Sequence, residues 1–192
     1  MGMTTGRVMD RSMGLGTGIG TITATAPTII PTVTMRTDAV LTLAQWLSPA
    51  YPVGAFAYST GLEAAVASGW VTDGSGLEDW LAEGREYGAG RNDALLLAAA
   101  YRAETPEALA EIDATARAFA ASKERLTETE AQGRAFVAVT QGIWGGDDAP
   151  LTYPVALGAA AAREGLPLAL TQSMYLQAFL SNLVAAGQRL LP

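Results

Sequence analysis

The chain has 192 residues, of which 49% are hydrophobic and 16% are charged, and its formal net charge is −7. This length suits one domain with a substantial core. The acidic balance argues against nucleic acid or an anionic membrane surface as a partner, since both require clustered Lys and Arg. There is no histidine and no cysteine, which excludes disulfides and leaves nickel, zinc and copper without their preferred ligands. We therefore expect a cytoplasmic binding protein that meets basic protein faces and holds no metal or cofactor of its own.

Residues 1–37 differ in composition from the rest of the chain. They are rich in Gly, Thr, Met and Pro and lack helical periodicity, which predicts a disordered or non-native leader ahead of a domain over 38–192. Arg7 and Arg11, followed by small residues at 24–26, imitate a secretory signal, but glycines dilute its apolar middle. Those glycines also miss the register of a phosphate-binding loop. We therefore favour a disordered or non-native leader over a secretory signal or a phosphate-binding loop.

A first helix is predicted over 38–47. It runs into a stretch rich in proline, glycine and aromatic residues that covers 45–63 and reads QWLSPAYPVGAFAYSTGLE. Pro49 and Pro52 each bias the preceding residue away from helical angles, so the chain must turn there. Gly54 permits backbone angles that a side chain would forbid. We call residues 48–61 of this stretch the elbow.

Capping patterns in the sequence predict where several of the other helices begin. Thr60–Glu63 and Ser75–Glu78 are spaced as capping boxes, and Thr105–Pro106 is a cap followed by proline at the first helical position. Alanine is abundant and no convincing strand is found, which predicts an all-α, single-domain helical bundle of about eight helices. The predicted helices after the first cover approximately 61–68, 75–87, 91–101, 105–122, 122–141, 154–165 and 167–191.

Carboxylates occur in two groups that could pair for catalysis or bind a hard cation. Asp147 and Asp148 share a loop, and Glu124, Glu128 and Glu130 share the sixth helix. Oxygen-only ligands suit Mg²⁺ or Mn²⁺, so a helical hydrolase or metal-dependent enzyme is the alternative hypothesis. Because charged residues are mostly exposed, we favour a solvated loop and a solvated helix face, with no catalytic or metal-binding residue.

The elbow offers a serine and several aromatic side chains. Ser59 lies two residues before Gly61, but the pattern Gly-x-Ser-x-Gly fails at Ala57 and no histidine could act as a base, so nucleophilic catalysis is not expected. Large aromatic residues are mostly buried, yet such an elbow can expose one or two of them as interface anchors. These features alone favour a helical protein-binding protein. The aromatic residues concerned are Trp46, Tyr51, Phe56, Tyr58, Trp70 and Trp80.

The sequence SPAYPVGAFAYSTGLE, residues 48–63, which contains the elbow and the two residues after it, closely resembles the hallmark of the urease accessory protein UreF family. The resemblance covers approximately 40–192 and keeps the order of the family's other motifs. These are Gly69-Trp70-Val71, Leu77-x-x-Trp80-Leu81, Asn92-Asp93, Glu130-x-x-Gly133-Arg134 and Tyr175-Leu176-x-x-Phe179-x-x-Asn182-Leu183-Val184.

This resemblance implies an all-α assembly factor that is not an enzyme and is similar to a dimeric scaffold. In the family, such a factor binds the accessory protein UreD, also called UreH, recruits the GTPase UreG and docks on apo-urease so that nickel reaches the active site. The composition agrees, because a chain without His, Cys or a phosphate-binding loop is suited neither to carry nickel nor to hydrolyse GTP.

The matching residues are expected to shape the elbow or to bind partners, with Phe56 the best candidate for a ring that faces a partner. Three departures stand out: Ala94 replaces the family's usual proline, the leader has no counterpart, and the family continues beyond Leu191-Pro192, so the chain resembles a truncated member. Regulation of the GTPase by an arginine of this chain stays an open hypothesis, and the sequence does not choose among Arg125, Arg134 and Arg189. The carried-over residues are Pro52, Gly54, Phe56, Tyr58, Ser59, Gly61, Glu63 and Arg134.

Overall fold

A computed structural model of the chain describes residues 37–54, 58–146 and 149–191. These ranges contain α-helices and no strand, which confirms the all-α prediction. The eight helices are α1 (Thr37–Trp46), α2 (Leu62–Ala67), α3 (Gly74–Glu86), α4 (Ala89–Tyr101), α5 (Pro106–Ala118), α6 (Lys123–Trp144), α7 (Tyr153–Arg163) and α8 (Leu168–Leu190). None of the described helices is both long and apolar enough to cross a membrane.

Helix α7 forms the centre of the bundle. Eight of its eleven residues are buried, and it packs most extensively on α4 and α6. Gly158 makes the contact with α4 possible, because a Cβ atom there would lie 2.3 Å from the carbonyl oxygen of Leu97. The hydroxyl of Tyr101 donates to the carbonyl oxygen of Leu166 (2.8 Å), which ties the end of α4 to the segment after α7.

Aromatic rings fill the core between α1, α6 and α7. Trp46 and Phe136 are fully buried and meet edge to face, with centroids 5.4 Å apart and an interplanar angle of 87°. Trp144 meets Trp46 in the same way at 5.4 Å, and Tyr51 and Tyr153 each lie 5.8 Å from Phe136. Such pairs add about 0.5–1.5 kcal/mol beyond the burial of their area, so the beginning of the elbow is anchored in the core.

A second, smaller apolar cluster joins α2, α3 and the end of α8. Its buried members include Leu62, Val71 and Ala186, and Leu77 and Trp80 pack against them. A Cβ atom at position 187, a glycine, would lie 2.5 Å from a methyl group of Leu77. Helix α2, which follows the elbow, therefore packs against α3 and α8.

Of the three helix starts predicted from capping signals, the structure confirms one and corrects two. Thr105 caps α5, with its Oγ1 accepting from the backbone N–H of Ala108 (3.2 Å), as predicted. The predicted box at Ser75–Glu78 is wrong, because Asp73 caps α3 by accepting from the N–H of Gly76 (2.9 Å). The box at Thr60–Glu63 is also wrong: Gly61 is the N-cap of α2, and no side chain caps that helix.

Some predictions fall on residues outside the described ranges. The leader over 1–37 lies outside them except for its last residue, which begins α1. Phe56, Asp147 and Asp148 lie outside them as well. The expectations for these residues stay predictions.

Candidate functional site

The elbow begins with a tight turn directly after α1. The backbone N–H of Leu47 still donates to the helical carbonyl of Leu43 (3.0 Å), and the N–H of Tyr51 then donates to the carbonyl of Ser48 (2.9 Å). The Ser48 hydroxyl oxygen accepts from the N–H of Ala50 (3.1 Å). Pro49 supplies the fixed backbone angle inside this turn. Local hydrogen bonds and proline therefore end the helix together.

The next residues of the elbow alternate between the core and the surface. Tyr51 and Val53 are buried, whereas Pro52 and Gly54 are exposed. The N–H of Val53 donates to the carbonyl of Tyr51 (2.7 Å), and Gly54 has a φ of +73°. Such an angle suits glycine because it has no Cβ atom. Pro52 and Gly54 thus form an outer edge that a partner can reach.

The described residues on the far side of the elbow lead into α2 through left-handed backbone angles. Thr60 has a φ of 51° and Gly61 a φ of +87°, and the N–H of Leu62 donates to the carbonyl of Ser59 (3.0 Å). Tyr58, Ser59 and Thr60 are half-buried, whereas Gly61 and Glu63 are exposed. The seven hallmark positions therefore include at least four that lie at the surface. These four are Pro52, Gly54, Gly61 and Glu63.

A cavity of about 50 Å³ lies beside the elbow, between it, α6 and α8. Trp46 and Tyr51 line it, and the Nε1 of Trp46 and the hydroxyl of Tyr51 are buried without a hydrogen-bond partner among the described residues. Burial raises the pKa of Tyr51 to about 12, so its hydroxyl keeps its proton at neutral pH. Two buried donors without acceptors are unusual.

A buried polar network forms the side of this cavity that faces α6. The Nη2 of Arg125 donates to Oδ2 of Asp93 (2.5 Å), which also accepts from the hydroxyl of Tyr175 (2.6 Å). The Nη1 of Arg125 pairs with Oε1 of Glu128 (2.9 Å), which accepts from the Nε2 of Gln132 (3.3 Å). The network joins α4, α6 and α8. We call Asp93, Arg125 and Glu128 the ionic triad.

The electrostatics of the ionic triad follow from its burial. Burial raises the pKa of Asp93 and of Glu128 above their ordinary values, although the charge of Arg125 opposes the shift. Burial alone would lower the pKa of Arg125, but the neighbouring carboxylates raise it on balance. The single guanidinium of Arg125 is paired with both carboxylates.

A second network holds the segment that precedes α7. Oδ1 of Asp113 accepts from the backbone N–H (2.6 Å) and from the hydroxyl (2.8 Å) of Thr152. Oδ2 of Asp113 pairs with the Nε of Arg117 (2.7 Å), and Arg117 also pairs with Glu130. Asp113 thus holds the start of α7 against α5, and Arg117 joins α5 to α6.

The Glu130-x-x-Gly133-Arg134 motif combines structural residues with one surface residue. Glu130 belongs to the network just described. Gly133 is buried, and a Cβ atom there would lie 1.9 Å from the carbonyl oxygen of Leu151. Arg134 is exposed and does not line the cavity beside the elbow. Of the three, only Arg134 is available to a partner.

The acidic residues of α6 do not share one solvated face. Glu124 is exposed, but Glu128 is buried and Glu130 is half-buried, and each of the latter two pairs with a different arginine. The interpretation as a solvated helix face is therefore wrong for Glu128 and Glu130. Within the described ranges, no group of three or more acidic side chains is placed to hold a metal ion.

The aromatic residues divide between core and surface. Trp46 and Tyr51 are buried and Tyr58 and Trp80 are half-buried, but the side chain of Trp70 is 78% exposed. Two more exposed rings were not predicted from the sequence, Tyr87 (73% exposed) and Phe119 (70% exposed). Each directly follows the last residue of a helix. This position after a helix end was the sequence signal from which their exposure could have been predicted. Both line a second cavity that also contacts the ionic triad.

Comparison with known proteins yields one family. The family model described as UreF matches residues 71–192. Urease accessory protein UreF of Ruegeria sp. (strain TM1040) is 64% identical over 157 residues, which are 82% of this chain and 73% of the relative. The proteins of the same name from Roseobacter denitrificans and Ruegeria pomeroyi are each 52% identical, over 158 and 153 residues. These alignments span 82% and 80% of this chain and 71% and 70% of the relatives.

Proposed function

This chain belongs to the UreF family of urease accessory proteins, and on that premise we propose that it acts in the cytoplasm as a scaffold for the maturation of urease. In this proposal, it binds a UreD-type (UreH-type) accessory protein and apo-urease, and it recruits a UreG-type GTPase, so that nickel is inserted into the urease active site. It works as a homodimer and does not catalyse a reaction itself.

The observation that carries this proposal is the 64% identity over 157 residues with a urease accessory protein UreF. Identity at this level, across most of both chains, is far greater than the shared fold alone requires, and fold alone would be a weak guide to function. The elbow, which resembles the hallmark of the family, is also the most distinctive stretch of the chain.

The geometry of the elbow supports a role in binding proteins. Tyr51 and Val53 anchor its inner side in the core, which leaves Pro52 and Gly54 on a rigid outer edge. A rigid edge loses little conformational entropy on binding. We assign partner binding to this edge and to the other hallmark residues Phe56, Tyr58, Ser59, Gly61 and Glu63, with Arg134 as a separate contact on α6.

The state of the carboxylates favours a scaffold over a hydrolase. A catalytic acid or base must be free to exchange its proton with a substrate, but Glu128 and Glu130 are each held by an arginine. In this proposal, GTP hydrolysis in the assembled complex falls to the GTPase partner, and this chain acts by holding that partner in place.

Co-purification tests the proposal. The 192-residue chain is co-expressed with a tagged UreD-type protein and a UreG-type GTPase, and the eluate is analysed by size-exclusion chromatography with light scattering. We expect a complex that contains all of them, with this chain present in two copies. A folded helical chain that elutes alone, with neither partner retained, would overturn the proposal.

A further inference from the structure

The described residues bury their apolar side chains in two separate clusters of unequal size. The main cluster has nineteen buried members, which come from α1, the first part of the elbow and the chain from α4 to α8. The second cluster has four, which are Leu62, Ala65, Val71 and Ala186. No described residue between positions 58 and 88 belongs to the main cluster. Helices α2 and α3 therefore depend on the smaller cluster for their apolar burial.

Helices α2 and α3 have little to stabilise them on their own. We call residues 62–86, which contain both helices, the α2–α3 segment. Helix α2 has six residues and no side-chain cap, and α3 has thirteen residues, none of them buried. Isolated helices shorter than about 12–15 residues are marginal in water. The hydrogen bond of the α3 cap, from Gly76 to Asp73, lies within the segment and does not tie it to the bundle.

The α2–α3 segment packs on α4 and α8. Its closest side-chain contact with α8 is at Gly187, where a Cβ atom would lie 2.5 Å from a methyl group of Leu77. Leu77 and Trp80 are only half-buried. Because burial stabilises in proportion to the apolar area removed from water, separating this segment from the bundle costs much less free energy than unfolding the main cluster.

The hallmark residues are divided between the two clusters. Pro52 and Gly54 are neighbours of Val53, which is buried in the main cluster. Glu63 lies in α2, next to Leu62 of the second cluster. A partner that binds the whole hallmark must therefore contact both a firmly anchored part and a weakly anchored part of the protein.

From these features we infer that the α2–α3 segment opens from the bundle as one unit while α4, α6 and α7 stay folded, and that a partner bound across the hallmark holds it closed. Such a partner finds Pro52, Gly54 and Glu63 in place together only in the closed state, so its binding shifts the equilibrium toward that state. Elements that bind ligands are often drawn from the regions of lowest local stability.

Hydrogen exchange tests the opening in the free protein. Amide exchange of the 192-residue chain is followed by mass spectrometry at urea concentrations below the unfolding transition. We expect protection in the α2–α3 segment to be at least about a hundredfold lower than in α7. Its dependence on urea should also be shallower, because opening exposes less surface than global unfolding. Equal protection and equal urea dependence in α7 and in the segment would overturn the inference.

A variant in the main cluster shows whether the segment opens separately. Val155 is fully buried in α7, so Val155→Ala should lower the protection of α7 by about tenfold or more. Protection of the α2–α3 segment should stay unchanged, because Val155 remains packed when only the segment opens. A fall in the segment by the same factor as in α7 would show that the segment exchanges through global unfolding, which would overturn the inference.

A variant in α3 shows whether the two helices open together. Leu77→Ala removes the contact with Gly187 and should lower the protection of α2 and of α3 by the same factor, about tenfold. Leu95→Ala makes the same change on α4, at a side chain that is 57% exposed, and should leave the segment unchanged. An effect of Leu77→Ala on α3 that does not extend to α2 would contradict opening as one unit.

The closing of the segment by a partner rests on the proposed function. Exchange is therefore repeated on the complex with the UreD-type protein. We expect protection to rise by about tenfold or more along both α2 and α3. A rise confined to the hallmark residues would mean that the partner only covers them, and would overturn the closing. If no complex forms, the proposed function fails, while exchange in the free chain still decides whether the segment opens.

Discussion

Gly133 of α6 lies against the backbone of Leu151 so closely that a Cβ atom at position 133 would be 1.9 Å from the Leu151 carbonyl oxygen. The same atom would be 2.8 Å from the backbone nitrogen of Tyr153. Backbone cannot swing aside as a flexible side chain can, so α6 and the start of α7 pack at this distance only with glycine at position 133.

Gly133→Ala should therefore destabilise the chain. Overpacking against fixed backbone costs about 1–3 kcal/mol or more, and urea denaturation measures the loss. Gly142→Ala is the matched control on the same helix, since a Cβ atom there meets nothing within 4 Å. It should stabilise the chain by about 0.5–1 kcal/mol, because alanine favours the helix. Equal effects of the two variants would contradict the close contact.

Asp113→Ala should destabilise the chain by about 3 kcal/mol, because it leaves the buried Thr152 groups and the Arg117 guanidinium without their acceptor. In the wild type, Oδ1 of Asp113 accepts from Thr152 and Oδ2 pairs with Arg117. Glu111→Ala, an exposed position on the same helix, should change the free energy of unfolding by less than about 0.5 kcal/mol. Thermal and urea unfolding of both variants give the comparison. An effect at Asp113 as small as the effect at Glu111 would refute the anchoring role.

The buried carboxylate of Asp93 should make stability depend on pH. Burial raises the pKa of Asp93 in the folded chain above the ordinary value of 3.8, so its carboxyl ionises more easily in the unfolded chain. Its contribution to stability is full below pH 3.8 and is lost as the pH rises through the folded pKa. Asp93→Asn removes this dependence.

The measurement is the free energy of unfolding of wild type and Asp93→Asn between about pH 3 and about pH 7. Groups remote from Asp93 cancel in the difference, whereas Glu128, whose pKa the charge of Asp93 raises, adds to the trend in the same direction. The stability of the wild type relative to Asp93→Asn should fall as the pH rises. Asp79→Asn, an exposed position on α3, should show no such trend. If the stability of the wild type relative to Asp93→Asn rose with pH instead, the pairing with Arg125 would outweigh the effect of burial on the pKa of Asp93.

Glu63→Gln should weaken binding of the accessory partner without weakening the fold. Glu63 is an exposed hallmark residue in the first turn of α2, where loss of its charge costs only about 0.3–1 kcal/mol. Glu78→Gln makes the same change at an exposed position on α3. The yield of partner in co-purification should fall several-fold for Glu63→Gln alone. Equal yields from both variants would remove Glu63 from the proposed interface.

The helical architecture could be predicted because its signals are local. Thr105–Pro106 marks the start of α5 in the sequence and in the structure, since a cap and its first helical residues are neighbours in the chain. Competing local signals were harder to rank. Asp73 and Ser75 lie two residues apart and either can cap a helix, and the structure uses Asp73.

The buried networks could not be predicted because their partners are far apart in the chain. Arg125 meets Asp93 across 32 residues, and Tyr175 meets Asp93 across 82 residues. Only the spacing of Arg125 and Glu128, three residues apart on one helix, was visible as a local pair. The shared position of Tyr87 and Phe119 beside one cavity was missed for the same reason, because they lie at different helix ends that only the fold brings together.

Urease activation in cells tests the central claim most directly. A urease operon whose own UreF gene is deleted is expressed in a host without urease, with and without a plasmid that encodes this chain. Urease activity and the nickel content of the purified urease are then measured. The account predicts that both rise with this chain present. Nickel-free, inactive urease in cells that accumulate the folded chain together with the cognate accessory proteins would contradict it.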